Sequence, residues 1–293
     1  MLRRALWIPA AWALFAAPAA AQLQNDLLDV FTVQIKPEKM AQFEAVAKKI
    51  TVANRQNSGS DWLALSQEYG PGHTIRFISP RPSFAAIEEA SQAFMAAMSK
   101  SHGQPGTEQI FREVDSCTES ARSEVRRRRW ELSANPPADA AALARMLGEA
   151  RYVQTTMVLA RPGQGLKVEE QLRAIKAASE KATLKVTTLV SQAVAGQTGT
   201  VYYISTLRKS LGEIDGTPPL AQLLGEEGYA KFMKAASESV LTTESSISRI
   251  RPELSNPAAT IVAAAPDFWS PKPALASKGA KEAAGKAAAK KQP

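Results

Sequence analysis

The sequence predicts an α+β fold in which two β-α-β-β-α-β halves of one chain close a single barrel. Three observations carry that expectation. The chain writes nearly the same ending twice, as "EVRRRRWELSANP" at 124–136 and as "SISRIRPELSNP" at 246–257. Further segments repeat, in the same order, ahead of those endings. Within each half, stretches of period two and stretches of helical period follow one another in one sequence.

The repeats align as follows. "FTVQIKP" (31–37) falls on "TMVLARP" (156–162), with Lys36-Pro37 against Arg161-Pro162. "ALSQEYGPGHTIRFIS" (64–79) falls on "LVSQAVAGQTGTVYYIS" (189–205). There Ser66-Gln67 meets Ser191-Gln192, and Ile78-Ser79 meets Ile204-Ser205. Phe94-Met95 falls on Phe232-Met233, and the loops between the matches differ in length.

Each element follows from its pattern. "DVFTVQI" alternates, with Phe31, Val33 and Ile35 on one face and Thr32 and Gln34 on the other, as a strand does. Met40, Phe43, Val46, Ala47 and Ile50 then recur at helical spacing, as do Leu166, Leu172, Ile175 and Ala178 in the second half. "DWLALSQEY" and "HTIRFIS" flank Gly70-Pro71-Gly72, and "KVTTLVSQAV" and "TVYYIS" flank Gly196 to Gly199. Glycine supplies the positive φ that such hairpin turns require. A second helical region follows, at 84–100 with a further turn at 108–121, and at 219–241 in the second half. A last short strand carries each of the repeated endings, Val125 matching Ile247 and Leu132 matching Leu254.

That order is the ferredoxin-like unit, whose two helices cover one sheet face and leave the other bare. Two units in one chain can cover each other's bare faces, giving an intrachain α/β barrel. On element order and the repeated "R-PELS-NP" type of ending, the chain resembles the dimeric α/β-barrel superfamily, fused in tandem over most of 27–257. Antibiotic-biosynthesis monooxygenases, NIPSNAP-like proteins, and haem-dependent chlorite dismutases and dye-decolourising peroxidases share that architecture. The resemblance implies about eight strands enclosing side chains or one small ligand. It names no subfamily.

The ends differ from the middle. Arg3 and Arg4, an apolar run to Ala20 and the small residues Ala19-Ala20-Ala21 read as a secretory signal peptide, 1–21. The expected domains are then 22–136, a linker helix within 137–150 after Pro136-Pro137, 151–257, and a disordered Ala/Pro/Lys-rich tail, 258–293. The formal charge of +8 belongs largely to the ends. Six lysines against Glu282 give 272–293 a charge of +5, Arg3 and Arg4 add +2, and 22–271 keeps only +1. The tail reads as solubilising, or as a contact for an anionic envelope surface. The folded part does not read as a nucleic-acid binder, and no span crosses a membrane after signal cleavage. Cys117, the one cysteine, falls on an apolar helical face and reads as a buried hydrophobe.

Chemistry is sought on strand residues that face the interior. Candidate pocket residues are Gln34, Trp62, Arg76, His102 and Tyr202, with Thr32, Ser66, Ser191 and Tyr203 as further positions. The two histidines, His73 and His102, have no Cys or carboxylate cluster beside them, so no metal site and no cofactor is expected. Arg126 to Arg129 on a strand send alternate guanidiniums to opposite sides, and are read as a solvated or ion-paired edge. The expectation is a periplasmic or secreted protein that binds a small hydrophobic or polar ligand or acts as an interaction module, not an enzyme. The alternative, on the resemblance alone, is a cofactor-independent monooxygenase-like or haem-associated oxidoreductase.

Overall fold

A computed structural model describes residues 27–270. The expected signal peptide, 1–21, and the lysine-rich segment from 271 onward lie outside the described residues. Within them, β1 (Leu27–Ile35) leads through one 3-10 turn into α1 (Met40–Gln56). Strands β2 (Leu63–Tyr69) and β3 (Thr74–Arg81) form the first hairpin, followed by α2 (Phe84–Cys117) and β4 (Thr118–Arg128). After α3 (Ala140–Glu149), the second half repeats the order with β5 (Tyr152–Ala160), α4 (Gly165–Lys181), β6 (Thr188–Ala195) and β7 (Val201–Arg208). It ends with a short α5 (Gly212–Asp215), α6 (Leu220–Ser239) and β8 (Val240–Ile250), followed by α7 (Ala259–Ala264) and α8 (Pro266–Trp269).

The eight strands form one closed antiparallel barrel in the order β1-β3-β2-β8-β5-β7-β6-β4. Each half supplies four neighbouring strands, and the seams are β2–β8 and β4–β6. Closure removes the sheet edges, which would otherwise pair with other chains. The reading of Arg126 to Arg129 as an edge is therefore corrected, since β4 is hydrogen-bonded to β1 on one side and β6 on the other. Strands β4 and β8 are also longer than expected, at 11 residues each.

The helices cover the outside of the barrel. Val33 and Ile35 pack with Phe43 and Ala47 of α1, and Cys117 is fully buried in the same cluster. In the second half Val168 and Leu172 of α4 pack on Val190 and Tyr202. Leu166, expected on that apolar face, is exposed instead. Helix α2 kinks at Gly103, whose φ of 65° is left-handed, as α6 kinks at Gly225.

The repeated endings fasten each half onto the other. After β4 a 3-10 turn, Trp130–Leu132, buries Leu132, and Ser133 Oγ accepts from Val190 N of β6 at 3.0 Å. After β8 the turn Pro252–Leu254 buries Leu254, and Ser255 Oγ accepts from Ala64 N of β2 at 2.8 Å. Both serines also donate to a carbonyl four residues back, that of Arg129 or Arg251. The ending is written twice because the barrel has two seams to fasten.

Helix α3 does more than link the halves. Its Asp139 cap accepts from Ala142 N, and its Leu143 and Leu147 pack with Leu63, Leu65, Val153 and Ile250 across one end of the barrel. The expectation of a disordered tail beginning at 258 is corrected for 258–270. Ile261 and Trp269 bury against α3, and Trp269 Nε1 donates to Gly148 O at 3.0 Å. Gly148 allows this contact, because a Cβ there would lie 2.4 Å from Ile261 O. Val262, Ala265 and Phe268 of the same segment pack against that cluster, and the Arg151 guanidinium lies 3.7 Å over the Phe268 ring.

Candidate functional site in the barrel

The barrel encloses a cavity of about 590 Å³. Strand alternation decides what lines it. Leu28, Thr32 and Gln34 of β1 point inward while Val33 and Ile35 point to the helices, as the sequence predicts. The end beneath α3 is apolar, with Leu28, Leu63, Ile78, Val153, Leu207 and Ile250. The opposite end is polar, with Gln34, Thr74, Ser120, Arg122, Gln197 and Thr198.

Charge sits chiefly on β4, from Glu124 inward along the strand to Arg128 at its last position, at the end where β1 begins. Glu124, Arg126 and Arg128 are buried and face inward, while Arg127 faces out. Arg126 forms an ion pair with Glu124 through Nε and Nη2. The other oxygen of Glu124 accepts from Tyr203 Oη and Gln197 Nε2, both at 2.8 Å. The Arg126 guanidinium also lies 3.4 Å over the Tyr203 ring. Burial pushes the Tyr203 phenol up to about 12, so it stays a donor at neutral pH. Glu124, with its acceptor sites occupied in this way, is poorly placed to act as a general base.

Two guanidiniums of the cavity have no such partners. Among the described residues Arg76 forms no ion pair, and burial together with the neighbouring Arg126 charge lowers its pKa against the opposing charges of Glu244 and Glu124. Arg128 forms none either, and burial alone holds it down to about 10. Four arginines and two glutamates line the cavity, so it is net positive.

The five sequence-predicted pocket residues divide. Gln34 and Arg76 line the cavity. Gln34 is tied at the polar rim, donating to Gly72 O and accepting from Thr74 Oγ1, each at 2.6 Å. Trp62, His102 and Tyr202 lie outside it, and those placements are corrected. Leu63 and Leu65 face inward, so Trp62 faces the helices, where its Nε1 donates to Leu254 O at 2.7 Å. His102 belongs to α2, on the outer side of the sheet. Tyr202 faces α4 and donates to Glu169 Oε1 at 3.0 Å, so Tyr203 is the one that lines the cavity. Ser191 lines the cavity and Ser66 does not.

A haem iron takes a His, Cys, Tyr or Met axial ligand. Neither histidine faces the cavity, the Tyr203 hydroxyl is engaged with Glu124, and Met157 has no imidazole opposite it in the wall. The residues of the cavity do not fit a haem. Among the described residues no three His, Cys, Asp or Glu side chains converge as a metal site would require.

No family model matches the chain, and no curated protein matches it by sequence. Among solved structures it is similar to an anthrone oxidase-like protein, at 12% identity over 78% of this chain and 92% of that one, with a TM-score of 0.49. A candidate monooxygenase from Lactobacillus acidophilus NCFM is similar at 7% identity over 76% and 93% of the two chains, with a TM-score of 0.45. A mutant chlorite dismutase from Candidatus Nitrospira defluvii is similar at 8% identity over 80% and 96%, with a TM-score of 0.43. Likeness of this degree concerns the path of the chain and not its activity.

Proposed function

We propose that this chain is a small-molecule-binding protein of the cell envelope, exported by its first 21 residues, with its ligand held inside the barrel. The observation that carries the reading is the cavity itself, about 590 Å³ between an apolar closed end and a polar end. That volume falls within the roughly 300–1,000 Å³ of ligand sites, and the lining divides about evenly between apolar and polar side chains. Binding is favoured over catalysis because the one buried carboxylate of the cavity is occupied by Arg126, Tyr203 and Gln197. We also read the two halves as a duplicated ferredoxin-like unit, since the seams repeat the same contacts.

Native mass spectrometry of protein purified without refolding tests the reading. The expected result is a mass excess that disappears on denaturation and is absent from Ser205→Trp, which fills the cavity. A clean polypeptide mass, together with no uptake of any offered apolar molecule by the wild type, would contradict it.

A further inference from the structure

The chemical class of the ligand follows from which buried groups lack partners. Arg128 is 9% exposed and lines the cavity. Its Nε is buried with no acceptor, and so is Nε1 of Trp130, whose ring centre lies 5.2 Å from the Arg128 guanidinium carbon. Nε of Arg81 and of Arg208 is likewise buried without an acceptor, but both of those arginines are held through their Nη atoms, as Arg128 is not. Arg81 pairs with Asp61, Arg126 with Glu124, and Arg208 donates to Glu213 O and Thr217 Oγ1. Arg76 lines the same cavity, and among the described residues it too forms no ion pair.

Arginine and indole side chains donate hydrogen bonds and accept none, and the guanidinium does not give up its charge. A buried charge is ordinarily paired. The group that completes Arg128 must therefore bring acceptors and negative charge. A planar guanidinium fork matches the two oxygens of a carboxylate. The apolar lining of the same cavity, with Leu28, Leu63, Ile78 and Val153, calls for an apolar body behind that carboxylate. Glu124 is no substitute partner, because its oxygens are taken by Arg126, Tyr203 and Gln197.

We propose that the barrel binds an amphipathic organic carboxylate, its anionic group on Arg128, with Arg76 as a second cation of the same cavity that forms no ion pair among the described residues. This rests on the reading of the cavity as a ligand site. The second half has no equivalent. The β8 residues that face inward at the positions of Glu124, Arg126 and Arg128 are Ser246, Ser248 and Ile250.

Isothermal titration of the full chain with octanoate, octan-1-ol and inorganic phosphate tests the inference. Octanoate is expected to bind at least tenfold more tightly than octanol. Arg128→Gln should lose at least tenfold in octanoate affinity while octanol binding, the control for an intact cavity, stays unchanged. If Arg128→Gln does not fold, Arg76→Gln should weaken octanoate in the same selective way. Equal binding of octanoate and octanol would overturn the anion inference and leave the cavity reading standing. Phosphate competing as well as octanoate would overturn the amphipathic carboxylate in favour of an inorganic anion. Binding of none of the three would overturn the inference together with the cavity reading.

Discussion

Strands β4 and β8 close the two halves alike on one face and differently on the other. Facing outward and beyond the strand ends, both carry the same apparatus. Arg129 reaches Glu131 and Glu169 of α4, and Arg251 reaches Glu253 and Glu44 of α1. Leu132 and Leu254 are buried behind them, and Ser133 and Ser255 cap the opposing strand. Facing inward, β4 places Glu124, Arg126 and Arg128 where β8 places Ser246, Ser248 and Ile250. The shared face is what any barrel of this build needs to fasten its seams. The face that differs is where the protein keeps its charge, and a closed barrel has no structural need for that charge.

The comparison can be broken or sharpened by mutation. The largest effects belong to the shared face. Leu132→Ala and Leu254→Ala should each destabilise by about 3 kcal/mol, since each empties a fully enclosed site. Urea unfolding giving costs that differ by more than about 2 kcal/mol would deny that the seams are equivalent. Arg129→Ala should cost about 2 kcal/mol, because it takes from the buried Glu169 one of its two arginines and leaves it only Arg173 and Tyr202. Arg251→Ala should cost about 1 kcal/mol, its partners Glu44 and Glu253 being more exposed and better screened. The reverse ranking would sink this account of the pairs.

A smaller effect is set by pH. The hydrogen bond from Arg129 holds the Glu169 carboxyl below its ordinary 4.5, against the cost of burial. A carboxylate with a depressed folded pKa stabilises above the unfolded value and loses that contribution as pH falls through the folded one. Wild type should thus lose stability below about pH 4.5 more steeply than Glu169→Gln, which starts lower at pH 7. Parallel melting curves from pH 7 to pH 3 would contradict it.

Much of the fold was legible because period and order are local properties. The alternation of "DVFTVQI" put Thr32 and Gln34 inside, and that of Ile75, Arg76 and Phe77 put Arg76 inside. The site was harder because a face depends on register, and a slip of one residue exchanges the faces. Matching Ile78-Ser79 to Ile204-Ser205 set Tyr202 opposite Arg76. The strand pairing instead aligns Thr32↔Arg76 with Met157↔Tyr203, one residue on. Trp62 failed for the same reason at the start of β2. The plug by α3 and the anchoring of Ile261 and Trp269 were not legible, because both depend on contacts between segments distant in sequence, Leu143 and Leu147 with Leu63 and Leu65, and Trp269 with Gly148. The "EVRRRR" run did carry the signal for the cavity charge, since its alternation sends Glu124, Arg126 and Arg128 to one face.

The most direct test of the central claim is the thermal stability of Arg128→Ile, which writes into β4 the residue that β8 carries at the corresponding place. If Arg128 is an uncompensated charge kept for a ligand, replacing it with an apolar side chain removes a burial cost. Replacing even a paired buried charge with apolar side chains is often neutral or stabilises by about 1–4 kcal/mol, and an unpaired one has no pairing to lose. The account predicts a Tm equal to or above that of the wild type, with octanoate affinity lost. A fall of several degrees would contradict it, because the guanidinium would then be part of what holds the barrel together.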